Sequence, residues 1–188
     1  MKSILMSIQP YWGFLIIAKA KGWDLAKYGL HKKTVEVRKG VPASPDWDGK
    51  AALYFLKDKK SLARIPEEYR GEVEKLCGKV VGEFVCDCIT DLWADNTGFE
   101  AVEQATCLTY EQFVEYGKGA PLFGWHISDL KIYDKPKELS EFRKPRKCPI
   151  TYDCFLCKYW SIGMQDCTKE LRLTRPPQSF CYVEKLDV

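Results

Sequence analysis

The sequence predicts an α+β fold, a mixed β-barrel with short flanking helices, and three observations predict it. Five or six segments carry the alternation or the short apolar run of a strand, short helical segments separate them, and no regular βαβ rhythm links them. At 188 residues the chain suits a single domain spanning 1–188, carrying one insertion. Hydrophobic residues at 46% and charged residues at 29% exclude the disordered and membrane classes.

Taken in chain order, Ser3 to Ile8 reads as a strand with Ile4, Met6 and Ile8 on one face, and Gln9 ends it. Pro10 suits the first turn of a helix, where its missing N–H costs nothing, and Trp12, Leu15, Ile16 and Lys19 follow at helical spacing. The segment KTVEVR then alternates Thr34, Glu36 and Arg38 against Val35 and Val37, a strand with one apolar and one polar face. Strict alternation groups Lys33 with the valines, so it joins the polar face only if the strand begins after it. A loop from Gly40 to Gly49 precedes a strand from Ala51 to Lys57, and KVVGEFVCDCI reads as one further long strand.

Pro66 opens a helix through Glu72 and Leu76. Thr109 is placed to cap another, with Gln112 as the third-residue partner of a capping box and with Gly117 and Gly119 as its stop. WHISDLKIY is a strand, and SFCYVEKL is the last one. Between about 143 and 174 basic residues, four cysteines and aromatics displace the strand pattern, which marks the insertion.

The net charge of +3 says little alone, so its distribution matters. Basic clusters stand at Lys32, Lys33, Arg38 and Lys39; at Lys57, Lys59, Lys60 and Arg64; and at Arg143, Lys144, Arg146 and Lys147. The run Phe14 to Ala18 is far short of a membrane span or a signal-peptide core, so a cytoplasmic location without membrane partners is expected. In that compartment nine cysteines point to burial or metal ligation, not to disulfides.

Cys77, Cys86, Cys88, Cys107 and Cys181 lie in or beside regular elements and read as packing residues, with Cys86 and Cys88 on one side of a strand. Cys148, Cys154, Cys157 and Cys167 instead crowd the irregular segment with gaps of five, two and nine residues. The two-residue gap is chelate spacing, and the outer pair completes a tetrahedron, so a structural zinc with four thiolates is one reading. Four reduced, unligated thiols packing around Phe155, Tyr159 and Trp160 is the other. No organic cofactor is expected.

The ordered strings SIQPYW, HKKTVEVR, GKVVGEFVCD and LFGWHISDLKIYDKPKELSEF, closing on TRPPQSFCYV, resemble the ASCH family of the PUA-like superfamily, in particular its small phage and prophage members. The resemblance covers roughly residues 1 to 142 and 174 to 188. It implies a cleft beside the barrel, lined by the strand-to-helix junction and by the polar face of the KTVEVR strand. Ligand-binding candidates there are Gln9, Trp12, Lys33, Thr34, Glu36 and Arg38, with Trp125 as a stacking surface and His126 beside it. Arg175 and Gln178 flank a rigid Pro176–Pro177 pair and join the list.

Lys33 and Arg38 suit phosphate or carbonyl oxygen, and Glu36 suits a base amino group or a proton. Glu36 and Arg38, two apart on one face, equally suit a structural ion pair. The ligand expected from the resemblance is RNA or a modified nucleoside or nucleotide. A rival reading is a small hydrolase, an acetylated-cytidine amidohydrolase or a ribonuclease. In the amidohydrolase pattern Lys33 matches the lysine, while the threonine position falls on Glu36, which leaves Lys33 and Glu36 as its catalytic pair. A third reading is a phage protein-interaction factor without a small ligand.

Overall fold

The computed structural model describes residues 1–93, 98–145 and 172–186. Cys148, Cys154, Cys157 and Cys167, with Arg146 and Lys147, lie outside the described residues.

Eight strands and five α-helices make up the described chain in the order β1 (Lys2–Ile8), α1 (Pro10–Lys21), β2 (Val35–Arg38), β3 (Trp47–Phe55), α2 (Lys59–Ala63), α3 (Glu67–Leu76), β4 (Val80–Val85), β5 (Ile89–Asp91), α4 (Phe99–Thr106), α5 (Tyr110–Gly117), β6 (Phe123–His126), β7 (Ser128–Lys137) and β8 (Phe180–Glu184). The strands form a five-stranded sheet, β7-β4-β3-β1-β8, and a three-stranded sheet, β2-β6-β5. Among the described residues there is no closed barrel, which corrects the expected architecture.

The physical reason is visible where two long segments break. The KVVGEFVCDCI segment leaves the large sheet after Val85; the Cys86 amide bonds the Gly49 carbonyl at 2.7 Å, and only from Ile89 does the chain pair again, now with β6. The WHISDLKIY segment likewise divides at Ile127, whose amide turns to the Thr34 carbonyl at 2.9 Å. One half of each segment joins β3 or β4 in the large sheet, and the other half builds the small sheet on β2. Cys86 and Cys88 therefore sit in the crossing and not in a strand: Cys86 is buried and Cys88 is exposed.

β1 is the centre of the molecule. It runs parallel to β3 and antiparallel to β8, so α1 lies in a parallel crossover that the sequence pattern did not reveal. Both faces of the large sheet are covered. Ile4, Met6, Ile8, Leu53 and Phe55 pack under α1 with Phe14 and Ile17, while Leu5, Ala52, Tyr54 and Val80 pack against Phe142, Leu173 and Val183. α1 comes close enough to β3 that a Cβ on Gly13 would collide with the Phe55 ring. A third apolar cluster, Val37, Leu92, Val102, Leu108, Phe113 and Leu122, holds α4 and α5 on the outer face of the small sheet. On either side of the residues not described, Arg143 bridges Arg172 and the Leu173 amide bonds the Phe142 carbonyl at 2.9 Å. No helix among the described residues is long and apolar enough to cross a membrane.

Candidate functional site

The polar face of β2 is turned inward. Val37 on one side of the strand packs against α4 and α5, so Glu36 and Arg38 must point the other way, into the space between β2 and the end of β1. Both are buried, as is Lys33, whose side chain is 2% exposed. Lys33 escapes the alternation because β2 begins only at Val35; its own amide bonds the Leu15 carbonyl at 3.3 Å.

Glu36 is clamped by both cations, with Oε1 3.0 Å from Arg38 Nη2 and Oε2 3.5 Å from Lys33 Nζ. Lys33 Nζ also donates to the Thr106 carbonyl at 2.6 Å and stands 5.3 Å from the centre of the Trp12 ring. Arg38 reaches across to the large sheet. Its Nη2 donates to the Ser7 carbonyl at 2.7 Å, and Nη1 lies 3.4 Å from Ser179 Oγ, at the entry to β8. Burial holds the Lys33 amine below the ordinary lysine range, and the neighbouring Glu36 carboxylate opposes part of that shift.

These groups form the floor of a cleft of about 700 Å³, within the range of small-ligand sites. One wall is the strand-to-helix junction, Gln9 and Trp12, with Leu56 and Arg64 beside it; the other is α5, through Gln112, Glu115 and Tyr116. Gln9 is extended, with φ −66° and ψ 144°, and Pro10 starts α1 without any N-terminal acid, so the junction opens toward the cleft. Five cationic side chains line the cleft against two carboxylates. Three buried polar atoms at its floor have no hydrogen-bond partner: Ser7 Oγ, Glu36 Oε2 and Arg38 Nε. The hydroxyl and the guanidinium N–H are costly to leave unmatched, and the carboxylate oxygen keeps acceptor capacity beside its ion pair with Lys33.

The candidates divide by placement. Gln9, Trp12, Lys33, Glu36, Arg38 and Gln178 meet in this one cleft. Thr34 does not: its amide bonds the Ala105 carbonyl at 2.9 Å, and its side chain borders a separate depression of about 580 Å³ with Trp23 and His31. Trp125 is no stacking surface, because it shares the inner face of the small sheet with Glu36 and is wholly buried between Trp47 and Phe180, at ring-centre distances of 5.5 Å and 5.1 Å. His126 points the opposite way and pairs in the open with Asp87, Nδ1 to Oδ1 at 2.6 Å. Arg175 is exposed and does not line the cleft.

Sequence reasoning missed Ser7, Gln112, Tyr116 and Lys118 as cleft residues. A serine on the second face of an apolar strand was the available signal for Ser7. Nothing local marks the others, since α5 meets β2 only through tertiary packing.

No family model matches the chain, and no curated protein sequence matches it. Among solved structures it is similar to ASCH from Zymomonas mobilis, at 20% identity and a TM-score of 0.53, covering 98% of this chain and 89% of that one. Two mutants of that protein align at 18% identity with TM-scores of 0.55 and 0.54, each covering 98% of this chain.

Proposed function

We propose that this chain, which has the ASCH fold, is a nucleotide-binding module that reads the edge of a base, in free nucleotide or in RNA, at the floor of the cleft. The observation that supports the reading is that three buried polar atoms of one cleft make no hydrogen bond, Ser7 Oγ, Arg38 Nε and, beyond its 3.5 Å ion pair with Lys33, Glu36 Oε2, below an aromatic wall. A base edge offers what they lack. Glu36 Oε2 accepts from an amino or ring N–H, Arg38 Nε donates to a neighbouring ring nitrogen or carbonyl, and Ser7 Oγ serves either role. Because Glu36 is already fixed by Lys33 and Arg38, it meets the ligand without paying to become ordered.

Calorimetric titration of a panel of plain and modified nucleosides tests this, with Ser7→Ala and Glu36→Gln as variants. Binding by at least one base type, weakened about 10-fold or more by either change, is expected, since each removes a contact to a buried site. No binding by any nucleoside, monophosphate or short RNA at low salt overturns the reading.

A hydrolytic reading has one observation in its favour: a buried lysine whose pKa burial lowers, the direction that suits a general base, with a carboxylate 3.5 Å away. Incubation with acetylated cytidine and with small RNAs discriminates. Turnover abolished by Lys33→Met in a folded protein supports catalysis; binding without turnover supports recognition alone.

A further inference from the structure

Two of the five cleft cations, Lys33 and Arg38, are committed to Glu36 at the floor. The other three, Lys39, Arg64 and Lys118, are exposed, and among the described residues none of them forms an ion pair. They stand on two separate walls. Arg64 closes the C-terminus of α2, its guanidinium carbon 3.8 Å from the ring centre of Tyr11 and 5.0 Å from that of Trp12. Lys39 follows β2 and leans on α5, its Nζ 5.3 Å from the centre of the Tyr116 ring, and Lys118 caps the C-terminus of α5. Contact with the two rings holds the Arg64 guanidinium in place, and among the described residues no carboxylate neutralises its charge.

Building on the nucleotide reading of the floor, we propose that the cleft takes its nucleotide as an internal residue of a single strand, with one flanking phosphate on Arg64 and the next on Lys39 and Lys118. A free mononucleotide has one phosphate and satisfies one wall. A residue within a strand has a phosphate on each side and satisfies both. The strand is single because the base edge must leave its pairing partner to reach Glu36 and Arg38.

The full chain is titrated with a fluorescein-labelled RNA hexamer of random sequence across a salt series, and by calorimetry with nucleosides and their 5′-monophosphates. The hexamer is expected to bind about 10-fold or more tighter than the best monophosphate at low salt. Arg64→Ala and the double change Lys39→Ala/Lys118→Ala should each weaken the hexamer about 5- to 10-fold and flatten its salt dependence, a larger loss than either imposes on a nucleoside, which carries no phosphate. These side chains are exposed, so unchanged melting curves separate the effect from misfolding. A monophosphate that binds as tightly as the hexamer, an unchanged salt slope in both variants, or equal competition by polyglutamate overturns the strand proposal. Nucleoside binding without any gain for the hexamer sinks this proposal and leaves the base-reading cleft standing; absence of binding by nucleosides, monophosphates and RNA alike sinks both.

Discussion

Glu36 holds two buried cations in place, and its removal exposes the energetic logic of the site. Glu36→Ala leaves Lys33 and Arg38 buried without a counter-charge, a change that costs about 3–5 kcal/mol in comparable pairs, and urea unfolding measures it. Ser7→Ala has the opposite sign. It deletes a buried hydroxyl that has no partner, so the folded protein should gain up to about 1 kcal/mol, raising Tm by about 2–4 °C, even as ligand affinity falls. A stability gain joined to a binding loss is what a hydroxyl reserved for ligand produces; a stability loss would mean that Ser7 serves the fold. Lys33 adds a pH dependence. Its folded-state pKa is lowered, so between that value and the unfolded lysine value of about 10.4 the unfolded chain binds more protons, and stability on its account rises with pH. Burial raises the pKa of Tyr11, Tyr116 and Cys107, which gives the reverse slope, so the test is the difference between wild type and Lys33→Met. That difference should grow with pH over this window, and parallel profiles would contradict it.

Among the elements, α5 decides the shape of the cleft. Its start is secured by a capping box in which Thr109 Oγ accepts from the Gln112 amide and Gln112 Oε1 accepts from the Thr109 amide, at 3.4 Å and 3.2 Å. Thr109→Ala should cost about 0.5–2 kcal/mol by urea unfolding, and because Gln112 also faces the cleft, ligand affinity should drop with it. The pairing of β4 with β7 has its own fixed point. A Cβ on Gly82 would collide with the Lys131 carbonyl oxygen, which is backbone and cannot swing away. Gly82→Ala should therefore destabilise by about 1–3 kcal/mol, the range for overpacking, without touching the cleft. Between about 143 and 174, the spacing of Cys148, Cys154, Cys157 and Cys167 carries the proposal of one structural zinc. Metal analysis of protein purified without chelator should then give close to one zinc per chain, and a metal-free protein with four freely titrating thiols in this segment would dispose of the idea.

Across the whole molecule, the cleft lies where the small sheet meets the large one through Arg38, with polar groups between them. β1 and β3 are paired on both edges, so their amides should exchange with solvent only through global unfolding. The small sheet is joined to the large one through Arg38 and the apolar packing of Trp125, and its β2 amides should exchange sooner. Ligand should slow β2 more than β7, which lies at the far edge of the large sheet. Uniform slowing would place the ligand elsewhere.

Much of this was legible in local sequence, and for local reasons. Pro10 after an apolar strand fixes a helix start, Thr109 and Gln112 fix another, and the alternation from Val35 to Arg38 fixes which side chains share a face, because caps and strand periodicity depend on residues only a few positions apart. The same alternation could not say that the polar face points inward. It reads identically on a strand facing water, and burial of Glu36 and Arg38 follows only from the approach of β1 and β8. Trp125 was misplaced for the same reason, since an aromatic in a strand looks alike whether it borders a cleft or fills a core. Where the two long strands break, at Cys86–Cys88 and at Ile127, the residues carry no breaker; competition between two sheets for the same chain sets the break. Sequence by itself determined the helix starts, the strand faces and the charged trio of Lys33, Glu36 and Arg38. Only the tertiary structure decided that the trio is buried, that Ser7, Gln112, Tyr116 and Lys118 join it, and that Thr34, Trp125 and His126 do not, because those outcomes depend on contacts between residues far apart in the chain.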